Sequence, residues 1–398
     1  MAGKSGFPTI PDQEFKERLS RFKEKMAANG LDLVALFSNL LDPSSVMYFT
    51  NVSPVNESAA MLIPLEGEPV LMSGQACHEW SRHKSKIKDI RIMPEVGEVA
   101  VVEYGIAGQI SSEDLFREMK SKYNIRKIGI VGDLIFPYGM YKNLEKVFPG
   151  VDKVSAEMML YELRAKKSEN EIACIKKACN IISKAFEFAE KRIKPGVTEL
   201  DIQADIESQL LRLGAEGVCN SWTPMIPSGP VNSHLCVNRN TLRKVKKSEI
   251  IDLQAGALYE GYNGVICTPV VLGKIPDEIR NAVLTAHEAL KIVSAQLKPG
   301  VSSRQLFRAY IDFLKSKGYE KYSPYGSVHS LGMLECETPF FSANKDVYLG
   351  ENNVVAIDVY FKGLPWGSFR IEDVFVVRKD GAELLTSFNK KYIPKRFK

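Results

Sequence analysis

The chain has 398 residues, of which 45% are hydrophobic and 25% charged, and its formal net charge is +5. This length allows two domains with separate cores, and the composition excludes a disordered or fibrous protein. The densest basic stretch, residues 243–247, is short and precedes a predicted strand, so we interpret it as a solvated turn. We therefore expect no nucleic-acid partner.

Seven cysteines are scattered without the spacing of a zinc site or of a disulfide framework. Such usage is typical of reduced thiols in the cytoplasm. The first residues contain no apolar signal core, and no apolar run reaches the length of a membrane span. The sequence thus predicts a cytoplasmic protein without a membrane partner.

The first part of the chain alternates between predicted strands and helices. A helix over 15–29 carries Phe15, Leu19, Phe22 and Met26 on one face and ends at Gly30. The further strands are expected at 31–37, 48–51, 59–64, 69–73, 127–131 and 152–156, and the further helices at 111–123 and 138–147. This alternation predicts an α/β domain.

A longer helix begins after Ser168, which forms a capping-box pattern with Glu171. We place a domain boundary near residues 156–162, which divides the chain into domains 1–157 and 158–398. The second domain has predicted helices at 198–213, 277–297 and 303–317, a hairpin at 250–273, and strands at 354–360 and 370–377. The hairpin is almost entirely apolar, and Asp252 and Glu260 are its only carboxylates.

Several short motifs follow one another in the order found in one known family. They are LRAKKSENEI (163–172), KPGVTE (194–199), KPGV (298–301), HSLG (329–332) and RIED (370–373). Together they resemble the creatinase and Xaa-Pro peptidase family. The resemblance implies a creatinase-like α/β N-terminal domain followed by an α+β domain of the pita-bread (creatinase/aminopeptidase) fold. It also implies a homodimer and a small-molecule or dipeptide ligand.

Metal-dependent members of this family hold two divalent ions with two aspartates, one histidine and two glutamates, and the ions generate a nucleophilic hydroxide. The resemblance places the two aspartates at Gln254 and Val265, which supply a neutral amide and no donor at all. The histidine is retained as His329, the first glutamate becomes Asp358, and the second is retained as Glu372. We therefore expect no cofactor.

One divalent ion on His329, Asp358 and Glu372 is the alternative. Asp252 faces the same way as Gln254 on a strand, so it is a further candidate ligand for this ion. Two substrate-contacting histidines of the family also fall at other residue types, Val237 and Cys336.

The main hypothesis is a divergent hydrolase that cleaves a C–N bond in a small peptide-like or amidine-like substrate without the usual metal pair. The expected catalytic residues are His329, Glu372, Asp358 and His234, with His234 as an alternative general base. The expected substrate-binding residues are Arg370, Gln254, Cys336 and Cys267. If the two cysteines do not bind substrate, two interpretations remain. They are either small buried residues or, beside a histidine, nucleophiles. A non-catalytic binding protein and an Xaa-Pro dipeptidase with one ion remain alternatives.

Overall fold

The computed structural model describes residues 7–98, 108–219, 222–235, 237–344 and 346–398. The chain divides into two compact units, one spanning Ile10–Arg164 and the other spanning Ala165–Lys398 with the residues before Ile10. Among the described residues, no helix combines the length and the apolar character that crossing a membrane requires.

The first unit is an α/β domain, as the alternating pattern predicts. Its strands are β1 Leu33–Ser38, β2 Ala59–Pro64, β3 Val70–Ser73, β4 Asp89–Ile92, β5 Lys127–Val131 and β6 Asp152–Ser155. Its helices are α1 Asp12–Ala28, α2 Ser44–Thr50, α3 His78–Lys84, α4 Ser112–Lys122, α5 Tyr138–Val147 and α6 Glu157–Ala165. The strands form one mixed sheet in the order β4-β3-β2-β1-β5-β6.

The strand predicted at 48–51 is wrong, because this stretch belongs to α2. Asp42 accepts a hydrogen bond from the backbone N–H of Ser44 at the start of the helix, and Asn51 ends it with a left-handed φ of 62°. All residues of α2 are buried. A short helix buried on every side has no amphipathic period, so its sequence cannot be distinguished from that of a buried strand.

The second unit contains the remaining elements and the retained family motifs. Its helices are α7 Glu169–Arg192, α8 Glu199–Arg212, α9 Gly229–Asn232, α10 Asp277–Ser294, α11 Ser303–Lys317 and α12 Phe388–Arg396. Its strands are β7 Gly217–Val218, β8 Ile250–Tyr259, β9 Tyr262–Val271, β10 Val328–Ser330, β11 Glu337–Phe341, β12 Val354–Leu364, β13 Gly367–Arg378 and β14 Gly381–Leu384. Their sheet has the order β11-β10-β12-β13-β9-β8-β7, and β14 pairs with β13.

Helix α7 begins with the predicted capping box. The side chain of Ser168 accepts a hydrogen bond from the Glu171 N–H, and the Glu171 carboxylate accepts one from the Ser168 N–H. The helix crosses β9 at Gly264, where a Cβ atom would lie 2.4 Å from the backbone nitrogen of Cys179. Only glycine permits this close approach.

The hairpin formed by β8 and β9 turns tightly at Glu260 and Gly261, which both have positive φ (48° and 73°). Successive side chains of β9 point to opposite faces of the sheet, so the residue next to Gly264 lies on the face opposite to α7. Val265 and Cys267 lie on this opposite face, and both are fully buried. The hairpin therefore packs against α7 with one face and directs its other face to the interior of the unit.

Candidate functional site

Four polar side chains form a row across four neighbouring strands of the second sheet. Asp358 on β12 pairs with Glu372 on β13, Glu372 pairs with Cys267 on β9, and Cys267 pairs with Gln254 on β8. Residues that are directly opposite in register point their side chains to the same face. The row therefore places two carboxylates, a thiol and an amide side by side on one surface.

The centre of the row is a contact between a thiol and a carboxylate. The Sγ atom of Cys267 donates to Oε2 of Glu372 at 3.1 Å. Burial and the nearby Glu372 carboxylate raise the pKa of Cys267 well above its ordinary value, so the thiol keeps the proton that it donates. Burial alone would raise the pKa of Glu372, but the contacts with His329 and Cys267 outweigh it and lower this pKa.

His329 lies beside the row on β10, which pairs with β12. Its Nδ1 atom donates to the backbone carbonyl of Ser330 at 3.1 Å. Its Nε2 atom lies 3.4 Å from Oε1 of Glu372 and 3.6 Å from Oε1 of Glu335. Burial lowers the pKa of His329, but Cys336 and the two glutamates outweigh burial and raise it well above its ordinary value.

Glu335 is the residue of this site that sequence reasoning missed. One ligand atom from each of His329, Glu335 and Glu372 lies within 4.8 Å of the others. Burial and the charge of Glu372 raise the pKa of Glu335 to about 7, although His329 opposes them. No periodicity or motif singles out Glu335, because it lies in the irregular segment between β10 and β11 and not on a strand.

Asp358 does not join the group formed by His329, Glu335 and Glu372. Its Oδ2 atom accepts a hydrogen bond of 2.6 Å from the Tyr325 hydroxyl, and its Oδ1 atom lies 3.9 Å from Nε of Arg370. The guanidinium of Arg370 also lies over the Tyr360 ring, 4.6 Å from the ring centroid. Burial raises the pKa of Asp358, while Arg370 opposes the shift.

Asp252 and Gln254 form a separate buried pair at the end of the row. Oδ2 of Asp252 accepts hydrogen bonds from Nε2 of Gln254 at 2.8 Å and from the Arg370 N–H at 3.1 Å. Burial raises the pKa of Asp252 to about 7. Oε1 of Gln254 is buried and has no hydrogen-bond partner in the part of the chain that the structure describes.

The remaining residues singled out in the sequence have different surroundings. His234 shares a 2.8 Å hydrogen bond with the Ser368 hydroxyl, and Val237 is 75% exposed. Cys336 is exposed but interacts with His329, whereas Cys267 is buried. Cys236, a neighbour of these residues in sequence, lies outside the described residues. Sequence reasoning thus named His329 with Glu372 and Asp358 with Arg370, which lie next to each other in the structure. The role expected for His234 stays a prediction.

Residues 173–379 match the family model described as metallopeptidase family M24, and residues 18–166 match the creatinase/prolidase N-terminal domain. The chain belongs to metallopeptidase family M24. Its fold is accordingly the pita-bread fold preceded by a creatinase-type α/β domain. Both were expected from the order of the sequence motifs.

The M24 chain is similar over nearly its full length to proteins named Xaa-Pro dipeptidase. It is 25% identical to the one from Pyrococcus horikoshii over 95% of this chain and 99% of that relative. It is 26% identical to the one from Pyrococcus furiosus over 93% of this chain and 98% of that relative. The solved prolidase structure from Pyrococcus horikoshii superposes with a TM-score of 0.78 at 24% identity and covers 93% of this chain and 98% of that one.

The expectation that the protein has no cofactor is wrong. The family to which the chain belongs is one of metallopeptidases, and its relatives include Xaa-Pro dipeptidases. The sequence argument counted only the positions that match the family's ligands. A carboxylate from outside those positions, Glu335, stands beside His329 and Glu372.

Proposed function

We propose that this protein is an Xaa-Pro dipeptidase-related hydrolase that cleaves a C–N bond in a small peptide-like substrate, with a centre that differs from the bridged two-ion arrangement. The observation that carries the proposal is the distance of 3.4 Å between His329 Nε2 and Glu372 Oε1 on the polar row. A histidine and a carboxylate at this distance, both almost fully buried, are groups that can activate water or stabilise charge in acyl transfer.

The donor set does not fit a carboxylate-bridged pair of ions. The hairpin supplies the buried amide of Gln254, which is bound to Asp252, and the buried apolar side chain of Val265. Asp358 already has Tyr325 as a donor and the Arg370 guanidinium beside it. Two ions bring four positive charges, which need several bridging carboxylates, and the hairpin supplies none at these positions.

Amide hydrolysis requires that a water oxygen bonds to the carbonyl carbon, that the C–N bond breaks, and that the nitrogen leaves with a proton. We assign His329 and Glu372 to the reacting centre. We assign Asp358 and Arg370 to binding the polar parts of the substrate, because they lie next to Glu372 on the same face. Cys267 and Gln254 are fully buried and bonded to neighbours, so their proposed role is to position Glu372 and Asp252.

The proposal is tested by assaying the purified chain on Xaa-Pro dipeptides and on dipeptides without proline, with and without added Mn²⁺. We expect turnover that Glu372→Gln lowers by about 100-fold or more. Glu351→Gln is the matched control, since Glu351 is exposed. Turnover that is equal in wild type and Glu372→Gln would rule out this site.

A non-catalytic binding protein is the second candidate, and the loss of donors at Gln254 and Val265 favours it. In that case, calorimetry would detect binding of a dipeptide or a related small ligand, whereas no product would form under any metal condition. The expected homodimer is also still a prediction, which light scattering of the purified chain tests.

A further inference from the structure

We propose that His329, Glu335 and Glu372 together bind one divalent transition-metal ion, with Glu335 as a ligand that does not come from the family's ligand positions. Zn²⁺ and Mn²⁺ are the ions whose preferences match one imidazole and two carboxylates. The inference does not require that the protein be a hydrolase. Metal binding by the chain is the property proposed, and a metal titration tests it.

The two distances from His329 to the glutamates match the spacing of ligand atoms around one ion. The Nε2 atom of His329 lies 3.4 Å from the Glu372 oxygen and 3.6 Å from the Glu335 oxygen. A direct N–H···O hydrogen bond is shorter, at about 2.7–3.2 Å. Ligand atoms that are each about 2.1 Å from a tetrahedral ion lie roughly 3.4 Å from one another.

The surroundings orient two of the ligands toward the same point. Because Nδ1 of His329 donates to the Ser330 carbonyl, Nε2 is the ring nitrogen that faces the carboxylates. Cys267 donates to the Oε2 atom of Glu372, while the Oε1 atom of Glu372 is buried and accepts no hydrogen bond from the described residues. Outer hydrogen bonds of this kind orient ligands in metal sites. A cation at the point that this oxygen faces would satisfy it.

The charges nearby favour one ion over two. Four carboxylates lie around this site, those of Asp252, Glu335, Asp358 and Glu372, and Arg370 is the guanidinium among them. A bound cation would hold all four carboxylates in their ionised form. With His329 as a neutral ligand, these groups would then carry a formal excess of three negative charges. One divalent ion reduces this excess to one, whereas two ions would reverse its sign.

The group can also be reached from solvent. The Glu335 side chain is 18% exposed, and the adjacent Cys336 is exposed. Glu372 and His329 close the opposite side, with side-chain exposures of 3% and 7%. Water or a substrate would therefore reach these three residues from the Glu335 side.

Metal binding by the full chain, stripped with a chelator, tests the proposal. Zn²⁺ and Mn²⁺ are titrated by calorimetry, and Co²⁺ is titrated by its visible absorption. We expect one ion per chain. Glu335→Gln should weaken binding at least about tenfold, whereas Asp358→Asn should change it by less than about threefold.

The two variants distinguish a site that uses Glu335 from one that uses the family position. Circular dichroism of the metal-free variants shows whether they are folded, and only folded variants are compared. Two ions per chain, the absence of binding by the folded wild type, or a loss of binding on Asp358→Asn as large as that on Glu335→Gln would overturn the inference. One bound ion without turnover would leave it intact and would contradict the proposed hydrolase function.

Discussion

Cys267 donates its thiol hydrogen to Glu372 across the boundary between β9 and β13, at 3.1 Å. This hydrogen bond positions the Glu372 carboxylate: Cys267 holds Oε2, and Oε1 faces His329. A fully buried cysteine that would pass for ordinary core packing is thereby linked directly to the candidate site.

Cys267→Ala is expected to destabilise the fold more than removal of an ordinary buried thiol. The variant leaves the buried Oε2 atom of Glu372 without its donor, which costs about 1–3 kcal/mol beyond the lost packing. Urea unfolding measures the difference. Cys219→Ala is the control, because Cys219 is also buried but its thiol donates to a backbone carbonyl, that of Trp222, over a long distance of 3.7 Å. Equal losses in the two variants would contradict the role of the thiol.

Asp252 should make stability depend on pH. Its pKa is about 7 in the folded chain because of burial, against an ordinary value of 3.8. Between these values the folded state keeps a proton that the unfolded state releases, so stability falls as the pH rises from about 4 to 7. The full effect is on the order of 4 kcal/mol, since one pKa unit corresponds to about 1.4 kcal/mol.

Asp252→Asn keeps the shape of the side chain and cannot ionise, so it should remove this term. The difference in unfolding free energy between Asp252→Asn and wild type should grow in favour of the variant from pH 5 to pH 8. Urea unfolding at several pH values measures it. A difference that stays constant with pH would show that Asp252 does not titrate in this range.

Adding the two missing hairpin carboxylates should create a second ion site. The double variant Gln254→Asp/Val265→Asp places both new groups on the face that carries Glu372. Without metal it should lose roughly 3–5 kcal/mol or more, because the new carboxylates are buried without partners. Added Mn²⁺ should restore stability and raise the stoichiometry to two ions per chain.

The control for this variant is Ile266→Asp, which introduces a buried carboxylate on the opposite face of β9, beside α7. It should be destabilised to a similar degree, and Mn²⁺ should not restore it. Thermal unfolding with and without Mn²⁺ compares the two. Equal rescue of both variants would show that the ion acts elsewhere.

Removal of the proposed ion should leave the fold intact. The sheet that carries the ligands is held by backbone ladders and by a continuous core, including the fully buried Val265, Ile357 and Ile371. Chelation should therefore leave the far-ultraviolet circular dichroism unchanged and lower Tm by an amount that depends on the free ion concentration. Collapse of the spectrum on chelation would contradict this expectation.

Local signals in the sequence account for the elements that were predicted well. The capping box at Ser168 and the tight turn at Glu260–Gly261 identify the start of α7 and the hairpin, because both depend on residues close in the chain. The strand order could not be read in the same way, since the pairing of Glu372 with Cys267 joins residues that are 105 positions apart. Glu335 was missed because its role comes from tertiary contact with His329 and not from a pattern.

The spacing of the polar row is set by the pairing of the strands and not by the identity of its side chains. Asp358, Glu372, Cys267 and Gln254 are spaced by hydrogen bonds of the backbone, which every residue except proline can make. An exchange of one side chain therefore leaves the spacing of the others unchanged. Single substitutions in such a sheet can therefore change which donors stand in the row while the backbone keeps their positions.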